Sequence, residues 1–282
     1  MAVDTLWLGA LTAPGEDSGT DSTIRLRAFQ NGALLVNAAI PDTAQADFEI
    51  SNLYSVDVAG SGLDPDLAGA PIRIELAIDG DDAWVPELVF VWGERPAGDR
   101  RGQFIPLAMS YRPGALSTDR SEGPTTRTIS PVDVGTATTM IRDLLLITET
   151  ADVADAGTDS TVTLEVDLVG SQPSEGALAD SPQEDLERAT ANLYQGTLAR
   201  AFTRDGLQSL RLRNTGDDAW LPRRVFIFGT TASVDEPSNV VVPLVGLTSW
   251  PFGDLSTDSS EGRRSVLLPL LPLPGAGPPP IG

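Results

Sequence analysis

The sequence predicts an all-β chain made of two tandem antiparallel β-sandwich domains followed by a Pro-rich C-terminal arm. Three observations carry that expectation. Apolar and polar residues alternate with period two in strand-sized runs, Gly, Pro and Asp break those runs at short intervals, and the pattern occurs twice. At ~100–200 residues per domain, a length of 282 residues suits one large or two modest domains. The hydrophobic fraction of 41% is too high for a disordered acidic chain, despite a formal net charge of −21.

Taken in order, the clearest strands are these. Ile24, Leu26 and Ala28 alternate with Arg25 and Arg27, and Ile72, Ile74, Leu76 and Ile78 alternate with Arg73, Glu75 and Ala77. Val162, Leu164, Val166 and Leu168 alternate with Thr163, Glu165 and Asp167. Such alternation predicts strands with one face buried and one wet. One segment competes: Ser181-Pro182-Gln183-Glu184 has the form of a capping box with Pro at the first helical position. Its counterpart, Asp47-Phe48-Glu49-Ile50, leads into strand-like sequence, so at most a short helix is expected.

The doubling is explicit in four ordered matches. Asp17-Ser18-Gly19-Thr20-Asp21-Ser22-Thr23 returns as Asp155-Ala156-Gly157-Thr158-Asp159-Ser160-Thr161, and Asn52-Leu53-Tyr54 as Asn192-Leu193-Tyr194. Gly80-Asp81-Asp82-Ala83-Trp84-Val85-Pro86 returns as Gly216-Asp217-Asp218-Ala219-Trp220-Leu221-Pro222. Leu116-Ser117-Thr118-Asp119-Arg120-Ser121-Glu122-Gly123 returns as Leu255-Ser256-Thr257-Asp258-Ser259-Ser260-Glu261-Gly262. The offsets are 138, 140, 136 and 139, far longer than a solenoid period. Repeat 1 is therefore placed at residues 1–130, a linker at 131–141, repeat 2 at 142–266 and the arm at 267–282. The linker region, from Ser130 to Thr139, is a Pro, Gly, Thr and Ala stretch without periodicity. Divided there, the halves carry nine Arg against twenty acids and ten against twenty, net −11 and −10, so the charge belongs to the domain type and not to a tail.

Composition removes much chemistry. The chain has no Cys, His or Lys, so all 19 cations are Arg. Disulfides, zinc sites built on Cys or His, Ser–His and Cys–His nucleophiles, Lys Schiff bases and P-loop lysines are excluded. The acidic balance also argues against nucleic acid, which needs a basic face. Met1-Ala2-Val3-Asp4-Thr5-Leu6-Trp7 lacks the basic start of a classical signal peptide, and no run reaches the ~18–20 apolar residues of a transmembrane segment. Extracellular or particle-associated settings both suit the chain, and localisation is left open.

The acids common to both halves pose a geometric problem. Asp-x-Gly-Thr-Asp precedes a strand and Gly-Asp-Asp-Ala-Trp-x-Pro lies between strands, so both loops can meet at one end of a sandwich. Converging carboxylates repel, and a hard cation such as Ca²⁺, which takes ~6–8 oxygens, relieves that repulsion. The alternative is structural: Asp and Gly are ordinary turn residues, and Thr20 or Ser22 can cap turns with no ligand present. Trp84 and Trp220, each near a Pro at a strand start, read as core plugs. Leu-Ser-Thr-Asp-x-Ser-Glu-Gly reads as a turn rich in side-chain-to-backbone hydrogen bonds.

At these residues the chain resembles the PLAT (lipoxygenase homology) family. The resemblance rests on Gly19-Thr20-Asp21, Asp47-Phe48-Glu49 and Asp82-Ala83-Trp84-Val85-Pro86 followed by Leu88-Val89-Phe90-Val91. The second copy offers Gly157-Thr158-Asp159, Asp185-Leu186-Glu187-Arg188 and Asp218-Ala219-Trp220-Leu221-Pro222. It covers about two thirds of each half and implies an eight-stranded sandwich that binds membranes, lipids or protein partners and is not catalytic. By analogy with members such as the C-terminal domain of bacterial phospholipase C toxins, it also implies a calcium site in each half. Asp17 and Asp82 would give carboxylates and Gly19 and Ala83 carbonyls; Asp155, Asp218, Gly157 and Ala219 would do the same in the second copy. Asp21, Asp81, Asp159 and Asp217 are second-choice ligands. Phe104 to Gly123 and Val240 to Gly262 lie beyond the family's usual last strand. No lipase, lipoxygenase or protease domain accompanies the modules. An exposed membrane-inserting tip is not evident, since Trp7, Trp92 and Trp250 sit in strand-like contexts.

These readings give a non-enzymatic calcium-binding recognition or adhesion protein, its partner a protein, an assembly or, through calcium, a lipid or membrane surface. The alternative is a structural component of a fibre, capsid or phage-tail-like particle that docks through its Pro-rich arm. Carboxylate-pair glycoside hydrolysis ranks third, because nothing in the sequence marks a raised pKa.

Overall fold

The structure is a computed structural model, described over residues 2–15, 17–40, 48, 51–95, 103–178, 186–231 and 240–272. Its first eight strands are β1 (Thr5–Thr12), β2 (Thr23–Gln30), β3 (Ala33–Ala39), β4 (Ser51–Asp57), β5 (Ile72–Asp79), β6 (Pro86–Arg95), β7 (Gln103–Tyr111) and β8 (Thr126–Ile129). A two-residue β9 (Asp133–Val134) follows. Then come β10 (Met140–Thr150), β11 (Val162–Leu168), β12 (Ser174–Ala177), β13 (Ala191–Thr203), β14 (Leu207–Asn214), β15 (Pro222–Thr230), β16 (Val240–Leu247) and β17 (Ser265–Leu268). Among the described residues the one helical element is a 3₁₀ turn, Arg204–Gly206. The expectation of an all-β chain of antiparallel sheets therefore holds. The capping-box segment at Ser181-Pro182-Gln183-Glu184 lies outside the described residues.

Sheet order is the same in both halves. The first has sheets β4-β1-β6-β7 and β3-β2-β5-β8; the second has β13-β10-β15-β16, extended by β9, and β12-β11-β14-β17. Pairing is antiparallel throughout except at β9, which runs parallel to β16. Within each half the two sheets close on an apolar core. In the first, Leu6, Leu8 and Ala10 of β1 meet Ile24, Leu26 and Ala28 of β2. In the second, Leu144 and Leu146 of β10 meet Val162, Leu164 and Val166 of β11.

The strict one-face-wet expectation holds for β2, whose burial alternates, but not for β1, β6, β10 and β15, which are buried on both faces. The reason is a third core between the halves. Trp7, Phe90, Trp92 and Phe104 on the outer face of one sheet pack against Leu145, Ile147, Phe226 and Phe228 on the outer face of the other. The chain is thus a four-layer stack with three apolar seams.

The middle seam is built from positions that the repeat makes equivalent. Phe90 stacks edge-on against Phe228 with centroids 4.7 Å apart, and Trp92 against Phe226 at 5.2 Å. Phe90 corresponds to Phe226 and Trp92 to Phe228, both 136 residues on, so the two contacts are reciprocal. Gly9 meets its own counterpart, Ile147, whose Cδ1 would lie 3.2 Å from a Cβ at that position. The Ser51 hydroxyl donates to the carbonyl of its counterpart Ala191. This is the self-complementary pattern of a two-fold interface, formed within one chain.

Two segments are more tightly held than the sequence suggests. The Val132 N–H donates to the Leu107 carbonyl at 3.2 Å, β9 pairs with Val240 and Val241, and Gly135 N–H reaches the Val241 carbonyl at 2.9 Å, so the linker is stitched into the second half's sheet. Strand β10 already begins at Met140, inside the 131–141 span, and β17 runs past residue 266 to Leu268. The start of the arm docks on its own chain. Leu271, 4% exposed, enters the middle seam, its N–H donating to the Leu244 carbonyl at 2.8 Å and its carbonyl accepting from Arg204 Nη2 at 2.9 Å. Residues 273–282 lie outside the described residues. No helix among the described residues is long and apolar enough to cross a membrane.

The seam can be tested at Gly246, where an added Cβ would lie 2.1 Å from the Phe104 ring of the other half. Gly246→Ala is expected to cost about 1–3 kcal/mol in urea unfolding, the usual penalty of overpacking. Combining it with Phe104→Ala should give a total smaller than the sum of the single losses, because the clash partner is gone.

Candidate functional site

Three loops meet at one end of each sandwich: residues 13–22, 80–85 and 112–125 in the first half, and 151–161, 215–221 and 248–264 in the second. The first two are joined through their backbones. Ala13 N–H donates to the Val85 carbonyl and Val85 N–H to the Ser18 carbonyl, both at 2.9 Å; Ala151 to Leu221 and Leu221 to Ala156 repeat this at 2.9 and 3.0 Å. The third joins by a reciprocal pair between Trp84 and Leu116, at 2.9 and 2.8 Å, matched by Trp220 and Leu255.

Both Trp side chains are fully buried plugs, as the sequence suggests. Trp84 Nε1–H donates to Thr12 Oγ1 at 2.9 Å and Trp220 Nε1–H to Thr150 Oγ1 at 3.0 Å. Phe48 meets the Trp84 ring edge-on at 4.7 Å. The other candidates differ: Trp7 and Trp92 are buried in the middle seam, and Trp250 packs on Phe252 while its indole donates to the Gly253 carbonyl at 2.7 Å.

Several polar residues of the repeated motifs hold backbone groups. Ser22 Oγ accepts from Asp82 N–H at 3.1 Å and Ser160 Oγ from Asp218 N–H at 3.0 Å. Thr20 and Thr158 accept from the N–H two residues on, at 3.0 Å in both copies. The glycine opening Gly-Asp-Asp is required by this approach, since a Cβ would lie 2.3 Å from Ser22 Oγ at Gly80 and 2.1 Å from Ser160 Oγ at Gly216. In the third loop, Ser117 and Ser256 hydroxyls donate to Glu122 and Glu261, and Thr118 and Thr257 donate to the carbonyls of Gly80 and Gly216. The expected hydrogen-bonded turn is what forms. Ser22, Ser160, Thr118 and Thr257 were not among the site residues expected from sequence, although they stand in the repeated motifs.

The expected ligands fall at this end. Asp17, Asp82, Asp155 and Asp218 are exposed, and Gly19, Ala83, Gly157 and Ala219 are half-buried. Asp17 and Asp155 share a left-handed backbone, φ 63° and 59°, a conformation Asp tolerates better than most residues. Asp82 reaches across to the first loop: its Oδ2 accepts from Asp21 N–H at 3.3 Å, and its Oδ1 caps its own turn through Ala83 N–H at 2.9 Å. Asp218 Oδ2 likewise accepts from Asp159 N–H at 2.8 Å. Among the described residues no three Asp or Glu gather as a metal-binding group. With no Cys or His in the chain the donors are oxygens, and among the described residues at most two carboxylates come together at any one point. That chemistry suits a hard cation whose shell is completed by carbonyls and water, and it suits no soft metal.

Asp119 is held below the usual carboxylate range by the backbone N–H of Ser121 and then its hydroxyl; Asp258 is held low by the Ser260 hydroxyl and then its N–H. These shifts run opposite to the raised pKa of a carboxylic general acid.

No family model matches the chain, and no curated protein matches it. Among solved structures, the alpha toxin from Clostridium absonum is similar, at 20% identity and a TM-score of 0.36, over 45% of this chain and 31% of that one. The likeness thus spans under a third of the toxin's length.

Because folding lowers the pKa of Asp119 and Asp258, their turns stabilise the protein fully above the ordinary carboxylate pKa and lose that contribution as pH falls through the folded value. Chemical denaturation should therefore show Asp119→Ala/Asp258→Ala less stable than the parent at pH 7. The gap should narrow below about pH 4, where carboxylates begin to protonate. A pH-independent gap would assign the loss to packing alone.

Proposed function

We propose that the chain is a non-enzymatic recognition or adhesion protein whose two sandwich modules each hold a calcium ion at the three-loop end, as in the PLAT-like modules it resembles. One observation supports this above the others: the same exposed, all-oxygen loop end is built twice with the same latches. Asp17 and Asp82, with the carbonyls of Gly19 and Ala83, would hold the ion in the first half. Asp155 and Asp218, with the carbonyls of Gly157 and Ala219, would hold it in the second. Bound calcium would supply positive charge at the tips of an acidic molecule, which lets a partner protein or an anionic lipid surface approach without like-charge repulsion.

Calorimetric titration with Ca²⁺ should give two ions per chain, and Asp82→Asn and Asp218→Asn should each lower the stoichiometry by one. Asn keeps one acceptor oxygen, which can still take the cross-loop N–H of Asp21 or Asp159, while the charge is lost and, at position 82, one of the two acceptors with it. Unchanged stoichiometry in both variants, or no heat with the parent, rejects the reading.

A further inference from the structure

We propose that the second sandwich holds, between its two sheets, a binding site for the alkyl chain of a single-tailed amphiphile with an uncharged head. The site opens at the edge formed by β12 and β13. Leu144, Leu146 and Leu198 on one sheet face Leu164 and Val166 on the other, with Leu178 beside them, around a cavity of about 260 Å³. Tyr194 completes the wall from β13.

Strand-by-strand comparison of the halves shows how the space arises. Ser174 pairs with Val166 as Val36 pairs with Ala28; Gly176 pairs with Leu164 as Ala38 pairs with Leu26. Gly196 pairs with Leu144 as Val56 pairs with Leu6. In the first half Val36, Ala38 and Val56 all pack on the core from these inward-facing positions. The second half has Ser, Gly and Gly there, three truncations at adjoining sites. A Cβ built on Gly176 or Gly196 meets nothing within 4 Å, so both face open space. The same edge of the first half carries a cleft of about 390 Å³ between β3 and β4, wider open to solvent and lined in part by Asn37, Asp57 and Ser61.

The occupant follows from shape and charge. Packed sheets stand about 10 Å apart with their facing side chains filling the gap, so the side chains missing at Ser174, Gly176 and Gly196 leave room for about the thickness of one hydrocarbon chain. Its walls are mainly aliphatic, with Tyr194 and with Ser174, Gln195 and Thr197 of the two edge strands also in the lining, and its open side keeps part of the ligand in water. The charged group nearest the mouth, Glu175, is turned to the outer face, where it accepts from Thr163 and lies 4.0 Å from Arg213. Among the described residues the inner wall thus offers no ionic partner, and a net charge of −21 disfavours an anionic head. A cavity of this size and lining takes apolar ligands, as dry Leu- and Ile-lined cavities do.

The test uses the full chain and monomeric alkyl glucosides below their micellar concentration, read by calorimetry. One octyl glucoside is expected per chain. Affinity should fall about fourfold for each methylene removed, methyl glucoside should be inert, and octanoate should bind more weakly than octyl glucoside. Ser174→Val/Gly196→Val, which restores the first half's pattern, should abolish binding and raise the Tm. Should that variant fold poorly, Gly176→Ala, whose new methyl has free space, should still weaken binding at unchanged Tm. A parent that binds no alkyl glucoside, while the filled variant gains stability, would make the space a packing defect and overturn the proposal. Equal binding by parent and filled variants would overturn it too. So would a concentration-dependent dimer that the filled variant abolishes, which would make the edge a site for a second copy. None of these readouts involves calcium, so they stand apart from the loop-site reading.

Discussion

The structure depends on one apolar contact, the seam where the outer faces of two sheets close on each other. Without it, Trp7, Phe90, Trp92, Leu145, Phe226 and Phe228 would form a broad exposed patch on each half. An aromatic side chain carries about 150–250 Å² of surface, so burying one at ~25 cal/mol per Å² is worth roughly 4–6 kcal/mol as an upper bound. That gain offsets local costs. The Trp92 indole N–H is buried with no hydrogen-bond partner among the described residues, whereas that of Trp7 donates to Glu94 Oε2 at 2.9 Å. Because equivalent positions meet, the seam joins two surfaces that match each other, and the linker and Leu271 are drawn onto it.

The seam also bears on how the loop ends are positioned in so acidic a protein. Strands β1 and β6, and likewise β10 and β15, are gripped on both faces, and these strands flank the first two loops of each three-loop end. Trp84 and Trp220 extend that order into the loops, because each carries the backbone pair that holds the third loop. The loop carboxylates can then be spent on turns and on N–H groups of neighbouring loops, with their remaining lone pairs in solvent.

Much of this was legible in the sequence, and the gaps have a common cause. The alternation in β2, β5 and β11 marked strands because each has one face against a core and another largely against water. The repeated Asp, Gly, Ser and Thr marked the loop end because hydrogen-bonded turns need those residues at fixed spacing. What period-two reading misses is a sheet with no wet face: Leu88-Val89-Phe90-Val91 and Leu144-Leu145-Leu146-Ile147 are continuous apolar runs that report burial but not which neighbour does the burying. The tip role considered for Trp7 and Trp92 lost to that same seam. The ligand assignments at Asp17, Asp82, Asp155 and Asp218 rest on resemblance. Geometry adds that Asp82 and Asp218 face the partner loop and that their N–H contacts stabilise the turn with or without a cation.

The two halves share topology, register and loop chemistry, so their differences are informative. At the middle seam the ring positions stay apolar: Trp92 answers to Phe228 and Trp7 to Leu145, while Gly9 answers to Ile147 where the two meet. At the outer loops the Asp, Gly, Thr and Trp of the motifs are kept while the loops around them differ in length. At the β12–β13 edge, by contrast, three inward side chains are cut back together while the facing wall stays apolar, with Val166 where the first half has Ala28. Random erosion of a core lets the walls collapse or turn polar, because an unfilled apolar space forfeits dispersion contacts on every side. A space whose walls stay aliphatic while its entrance strand loses bulk has the form of a site shaped for something to enter.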